Sequence, residues 1–419
     1  MKKALLTTAI VFSFIHPAYA DNGVGGTVSG TNNTINIQQV GGLDTARDPN
    51  LSPTTPGPNA NNVIFFQSDS DNLSNLTQNG TSLVARVTQG HGLNESSGNK
   101  ALADQTGSGN TVTINQGALL DPSSSGTRVV YLAGFSKSNT ASVTQNGKNG
   151  SAEVDQGGNA KGSRAAIIQE ASSNGEIAKI QQIGSVSADT VVIQRGSTDN
   201  VSLTSNADTN SIVSVIQGTA SNASTVTLTQ QAGNNNRFDV YQNNAGDNLS
   251  VAQAGDNNYV FARQTGAGDK VKLTQSGGNN VAKFDQSGTN DTVVSLIQTG
   301  GSYANIAQSG INDVITSLTQ KAGDVAIINQ SGPSDTVTGV TQNGKGYVSI
   351  TQSGSGDSVG TVTQSTNDIL IINQSGKGDK VDVASQTGGT NYASIVQQGD
   401  NKTFTLNQVG NQFVQIVQK

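Results

Sequence analysis

Through most of the chain apolar and polar residues alternate in short runs that end on glutamine. Asn258, Val260 and Ala262 precede Gln264; Ser302, Ala304 and Ile306 precede Gln308; Asn391, Ala393 and Ile395 precede Gln397. A spacing of two returns strand side chains to one face. Each run therefore predicts a strand of about six residues, with a narrow inward stripe of Val, Ile, Leu or Ala and a polar residue at either end of it. After the Gln the chain usually gives x-Gly, as in Gln275-Ser276-Gly277 and Gln330-Ser331-Gly332. That pair predicts a tight turn in which Gly supplies positive φ.

The glutamines keep a beat. They fall at Gln242, Gln253, Gln264, Gln275, Gln286, Gln298, Gln308, Gln320, Gln330, Gln342, Gln352, Gln364, Gln374, Gln386, Gln397, Gln408 and Gln418, in steps of 10 to 12 residues. Gln298, Gln320, Gln342, Gln364, Gln386 and Gln408 are each 22 apart. Two strand–turn beats make one coil, so the predicted fold is all-β, a β-solenoid of stacked strand-turn-strand repeats. About 32 beats give roughly 16 coils, a rod on the order of 75 Å at the strand spacing. The 12-residue steps carry one extra residue before the apolar pair, as in Asp313-Val314-Ile315, which a bulge or looser turn would absorb. An interior Gln must satisfy donors and acceptor together, and stacking on the Gln of the next coil does so. Asn258, Asn280 and Asn391 complete this expected structural ladder.

The organisation follows from departures in the beat. Residues 1–20 read as a signal peptide, 21–32 as a Gly-rich leader, 33–229 as irregular repeats and 230–419 as regular ones. The irregular part carries Gln39, Gln67, Gln78, Gln89, Gln105, Gln116, Gln145, Gln156, Gln169, Gln182, Gln194, Gln217 and Gln230, with Ser205 and Val129-Val130-Tyr131-Leu132 in two slots. Insertions are expected at 41–62, which holds Pro49, Pro53, Pro56 and Pro58, at 91–100, and around Asp121-Pro122-Ser123. Proline cannot donate to a ladder, so its confinement there supports strands elsewhere. Met1-Lys2-Lys3, the apolar Ala4 to Ile15 and Ala18-Tyr19-Ala20 form a bacterial type of secretory signal with cleavage after Ala20. The apolar run is shorter than a membrane span requires, and no later stretch is apolar enough to span. The product is therefore expected outside the cytoplasm.

Composition narrows the chemistry. The 419 residues include no Cys and no Trp, 12% charged residues and 4% aromatics. Thiolate sites and disulfides are excluded. A net charge of −6, thinly spread, is not the footprint of a nucleic-acid binder. His16 leaves with the signal peptide, and His91 is a lone loop histidine. No nucleophile–base–acid set and no phosphate loop is specified, so the expectation is no enzyme, no cofactor and no metal. Gly266-Ala267-Gly268-Asp269-Lys270-Val271 and Gly376-Lys377-Gly378-Asp379-Lys380-Val381 only faintly resemble calcium-roll repeats, whose period is nine. Thr111-Val112-Thr113, Thr225-Val226-Thr227 and Thr361-Val362-Thr363 are too scattered for an ice-binding face. Asp256, Asp269, Asp291, Asp313, Asp324, Asp335, Asp357, Asp368 and Asp379 recur in or beside the turns. They read as exposed turn residues, or as gatekeepers whose repulsion slows premature assembly.

The repeat resembles that of the curlin family, the secreted amyloid fibre subunits of bacterial biofilm matrices. Asn258-x5-Gln264-x-Gly266-x-x-Asp269-x5-Gln275 carries the likeness, as do Asn280-x5-Gln286-x-Gly288, Ser302-x5-Gln308-x-Gly310 and Asn391-x5-Gln397-x-Gly399. The resemblance implies export through an outer-membrane curli-type pore, encounter with a nucleating curlin subunit, and polymerisation into extracellular cell-surface fibres. It implies an export segment within 21–32. Familiar curlins are much shorter, and Lys380 and Lys402 replace the first Ser/Asn before Gln386 and Gln408. Self-stacking is also expected independently: no polar cap is evident beyond Asn33-Ile35-Ile37-Gln39 or beyond the strand Gln412 to Gln418, and an unpaired strand edge templates another. The alternative is a non-polymerising secreted β-solenoid, an adhesin or binding protein.

Overall fold

The computed structural model describes residues 72–81, 83–89, 98–116, 138–157, 160–170 and 173–419. It also describes, chiefly as backbone, the strand segments Ala9–Phe14, Gly23–Val28, Thr34–Val40, Thr45–Ala46 and Asn62–Gln67. The expected cleavage point after Ala20, His91, the Val129–Leu132 slot and nearly all of the Pro-rich insertion lie outside the described residues. The chain divides into two compact units, Met1–Ser214 and Val215–Lys419.

In the second unit successive strands alternate between two sheets, and each strand pairs in parallel with the strand one coil away. Tyr259–Gln264, Val281–Gln286, Tyr303–Gln308, Val325–Gln330, Tyr347–Gln352 and Ile369–Gln374 stack in the first sheet. Asn248–Ala254, Lys270–Ser276 and Thr292–Thr299 stack in the second. This is a parallel β-solenoid, and its coil length is the 22-residue spacing of the glutamines. Burial alternates strictly along the first-sheet strands: Ala304, Ile306 and Gln308 are inside, while Tyr303, Asn305 and Ala307 face outward.

The core between the sheets is only two aliphatic columns wide on each side. In the first sheet one column runs Ala262, Phe284, Ile306, Ile328, Ile350 and Ile372 in register. Phe284 is accommodated because Ala262 precedes it in its own column and Ala282 stands beside it. A one-residue slip would turn every inward aliphatic to solvent, so this alternation fixes the register.

The extra residue of the 12-residue steps is taken up inside the second-sheet strands. Between Lys270–Ser276 and Thr292–Thr299 the register shifts at Val271/Leu273, so that Val293 and Leu296 point inward with Val294 and Ser295 both outside. The next coils repeat the bulge in register, through Val337 to Val340 and Val359 to Val362. It disappears where Lys380–Thr387 meets Thr403–Val409, between Val381 and Ala384. Lys380 consequently does not occupy the inward polar slot before Gln386. Asp379 does, one residue earlier, and Lys380 is exposed.

The turns use glycine in two ways. Leaving the second sheet, the x-Gly residue has positive φ, 75° at Gly277 and 71° at Gly300, as the turn requires. Leaving the first sheet, positive φ falls instead on the residue immediately before the Asp: Asn290, Asn312, Ser334 and Gly356. There the x-Gly residue is needed for room. A Cβ on Gly332 would lie 1.4 Å from the Gly354 carbonyl oxygen, and one on Gly310 would lie 1.8 Å from that of Gly332.

The first unit has the same construction with longer coils. Lys100–Ser108, Thr140–Gln145, Arg164–Gln169 and Asp189–Gln194 pair in one sheet. Val84–Gln89, Thr111–Gln116, Ser151–Gly157, Ile177–Ile183 and Asn200–Asn206 pair in the other.

Candidate functional site

The polar residues at the ends of the inward rows form columns along each stack, and these columns are the chemically distinctive part of the molecule. In the first sheet of the second unit each Gln Nε2 donates to the Oε1 of the Gln one coil on: Gln242 to Gln264 at 2.8 Å, Gln264 to Gln286 at 2.9 Å, and Gln286 to Gln308 at 2.8 Å. The chain of bonds continues through Gln330, Gln352, Gln374 and Gln397 to Gln418. In the second sheet Gln253, Gln275, Gln298, Gln320, Gln342, Gln364, Gln386 and Gln408 are linked in the same sense. In most rungs the amide also donates to a backbone carbonyl of the facing strand, as from Gln320 to Tyr303 at 2.9 Å. Apart from the partly exposed Gln418, these amides are buried, and each is engaged as both donor and acceptor, which is the condition for burying a polar group without penalty.

The first unit carries the same ladder across coils of unequal length. Gln78 bonds Gln105 27 residues away, and Gln105 bonds Gln145 40 residues away. Insertions between strands therefore leave the column intact. In the second sheet the row Gln89, Gln116, Gln156, Gln182 is continuous, but Ser205 holds the next slot. Gln182 turns its Nε2 to the Thr190 hydroxyl at 3.1 Å.

At the other end of each inward row stands an Asn, Asp or Ser. In the first sheet the side-chain oxygens of Asn236, Asn258 and Asn280 accept the backbone N–H of Asn258, Asn280 and Ser302. Asp324 accepts from Gly346, Asp368 from Asn391 and Asn391 from Gln412. In the second sheet the residues are aspartates without interruption: Asp247, Asp269, Asp291, Asp313, Asp335, Asp357 and Asp379. Each Oδ1 accepts the backbone N–H of the corresponding residue one coil on, at 3.0–3.1 Å up to Asp379 and 2.9 Å from Lys402. From Asp313 onward Oδ2 accepts a second N–H, from Gly310, Gly332, Gly354 and Gly376 at 3.2–3.3 Å.

This corrects the reading of these aspartates as exposed turn residues or surface gatekeepers. Of the set, only Asp256 is exposed; Asp269, Asp291, Asp313, Asp324, Asp335, Asp357, Asp368 and Asp379 have no accessible surface. The alternation carries them inside, because Asp269, Val271, Leu273 and Gln275 share one face. Burial raises their pKa values, to about 7 at Asp247 and Asp291 and about 6 at Asp269 and Asp335. Neighbouring carboxylates raise Asp247, Asp291 and Asp335 further, against the opposing pull of the N–H donors. Asp313 and Asp357 are raised for the same first reason. In the first unit burial lifts Asp155 to about 6.

Outside, one column of the first sheet is apolar and aromatic: Tyr259, Val281, Tyr303, Val325, Tyr347, Ile369, Tyr392 and Phe413. Tyr392 and Phe413 stack with centroids 4.8 Å apart, and Arg237 and Lys283 lie over Tyr259 and Tyr303. Among the described residues no group of three or more potential metal ligands comes together, and no helix is long and apolar enough to cross a membrane. No family model matches the chain, and no curated protein is detectably similar to it.

Proposed function

We propose that this protein is a structural subunit that self-assembles into extracellular amyloid-like fibres by stacking coils between chains as it stacks them within one. The observation that carries the reading is the translational sameness of the coils. The Gln286 to Gln308 bond repeats at Gln308 to Gln330 with the same atoms and nearly the same length. A coil thus offers on one side the complement of what it offers on the other. Such a surface is heterologous and does not close on itself, which is the geometry of a filament. Stacked identical amides over in-register parallel strands are also what stabilise cross-β assemblies.

The curlin-like repeat supports the same reading. It adds a secreted origin with a signal peptide cleaved after Ala20, export through an outer-membrane curli-type pore, a nucleating curlin subunit, and a role in biofilm, adhesion or surface coating. In this reading the polar columns are structural and the protein is not an enzyme. The test is to refold the chain from Asp21 to Lys419 out of denaturant and follow thioflavin T fluorescence, electron microscopy and fibre diffraction. Fibres with a meridional reflection near 4.7 Å are expected. A stable, monodisperse β-rich monomer would reject self-assembly. It would favour the second reading, a binding or adhesive solenoid, which the outward Tyr259–Phe413 column supports.

A further inference from the structure

The second-sheet aspartate column has a property the proposed assembly does not require. Asp247, Asp269, Asp291, Asp313, Asp335, Asp357 and Asp379 lie on successive coils, one strand spacing apart, and have at most 1% of their surface exposed. Among the described residues no cation is buried with them. Lys270 and Lys380 follow Asp269 and Asp379 directly but point outward, and Lys380 pairs with Asp382 at 2.5 Å. Lys377 and Asp400 are exposed in the same turns. Lys402 takes the slot after Asp379 and offers it a backbone N–H. Across the coil the first-sheet column adds only Asp324 and Asp368 to its neutral Asn, Ser and Gly members. Both histidines, His16 and His91, lie outside the described residues.

Like charges at this separation, buried without counter-ions, oppose stacking, and taking up protons removes the opposition. We propose that coil stacking is coupled to proton uptake by the Asp247–Asp379 column, so that mild acidity consolidates the stack and a pH above neutrality loosens it. The burial-raised pKa values at Asp247, Asp269, Asp291 and Asp335 agree in direction. Their folded values exceed the unfolded one, so the stabilisation is fully present below about pH 4 and is lost as pH rises through 6 to 7. The inference concerns stacking as such and holds whether coils stack within one chain or, as proposed above, between chains.

The experiment uses the full-length chain and needs no fibres. Urea unfolding followed by circular dichroism is compared at pH 5 and pH 8, with infrared spectra of the folded and urea-unfolded chain at pH 6. A higher urea midpoint at pH 5 is expected, together with a protonated-carboxyl C=O band in the folded chain that vanishes on unfolding. The paired change D291N and D335N removes alternate members of the column and is expected to reduce the midpoint difference by at least a third. Because the sequence pI is about 4.9, net charge also falls on acidification. Asp256→Asn with Asp400→Asn removes as many exposed carboxylates and is expected to leave the difference intact. A midpoint equal or higher at pH 8, or a folded chain without the protonated band at pH 6, would overturn the proposal. The infrared result decides even if the double variant fails to fold.

Discussion

Replacing Gln308 by Ala tests whether the amide column is an energetic unit or a by-product of regular stacking. Gln308 accepts from Gln286 at 2.8 Å and donates to Gln330 at 2.9 Å, with no accessible surface. Truncation strands two buried amide groups at once. The Gln286 Nε2 keeps only a long contact of 3.4 Å to the Lys270 carbonyl, and the Gln330 Oε1 loses its donor. At about 1–3 kcal/mol for each unsatisfied group, plus the void left by four side-chain atoms, the loss is about 4 kcal/mol. Because each coil contacts only its neighbours, the effect stays local. Hydrogen exchange measured by mass spectrometry should show protection of Tyr303–Gln308 and Val325–Gln330 falling about a thousandfold, at 1.4 kcal/mol per tenfold. Gln418→Ala, at a partly exposed residue whose only donated bond is 3.3 Å long, should change protection around it about tenfold at most. A change under tenfold at Gln308 would refute the argument that the column holds the coils together.

Other substitutions separate the remaining forces. Gly332→Ala should destabilise by more than about 3 kcal/mol, because its Cβ would overlap backbone that cannot move aside. Gly356→Ala, at φ 68° with open space around it, should cost only about 1–2 kcal/mol. Urea midpoints of the two variants compare crowding with conformation directly, and equal losses would contradict the assignment. Phe284→Ala removes one of the two largest fully buried side chains among the described residues and should lower stability by about 3–5 kcal/mol in the same assay. Lys179→Ala breaks the 3.1 Å pair with Glu153 on the outer face and should change stability by less than about 1 kcal/mol, less still in high salt.

The architecture was legible because two periods coincide in the sequence. The two-residue alternation marks strands, and the 22-residue recurrence of Gln298, Gln320 and Gln342 marks coils. What the sequence obscured were residues with two physical uses. Asp313 looks like a turn residue because Asp favours turns and carries charge, yet its spacing of two from Ile315 places it on the inward face. The same alternation that places Asn258 inside, applied to Asp269, would have found it. Gly332 looks like a φ-permissive glycine, but its role is steric and depends on the backbone of the next coil, which no local pattern encodes. Counting back six residues from Gln386 lands on Lys380 instead of the inward Asp379, because the count ignores the bulge that lengthens the strand between Val381 and Ala384.

The amide columns also give each stack an electrical direction. In both sheets of the second unit the Nε2 donor belongs to the earlier coil and the Oε1 acceptor to the later one, from Gln253 to Gln408 and from Gln242 to Gln418. The side-chain dipoles therefore add along the axis instead of cancelling, and each polarises the next. A stack of this kind has a sense, like an arrow: each rung turns an amide acceptor toward the earlier coil and an amide donor toward the later one. Two such arrows can join tip to tail but not tip to tip. In the filament proposed above, all members would therefore share one orientation, and its two ends would be chemically unlike.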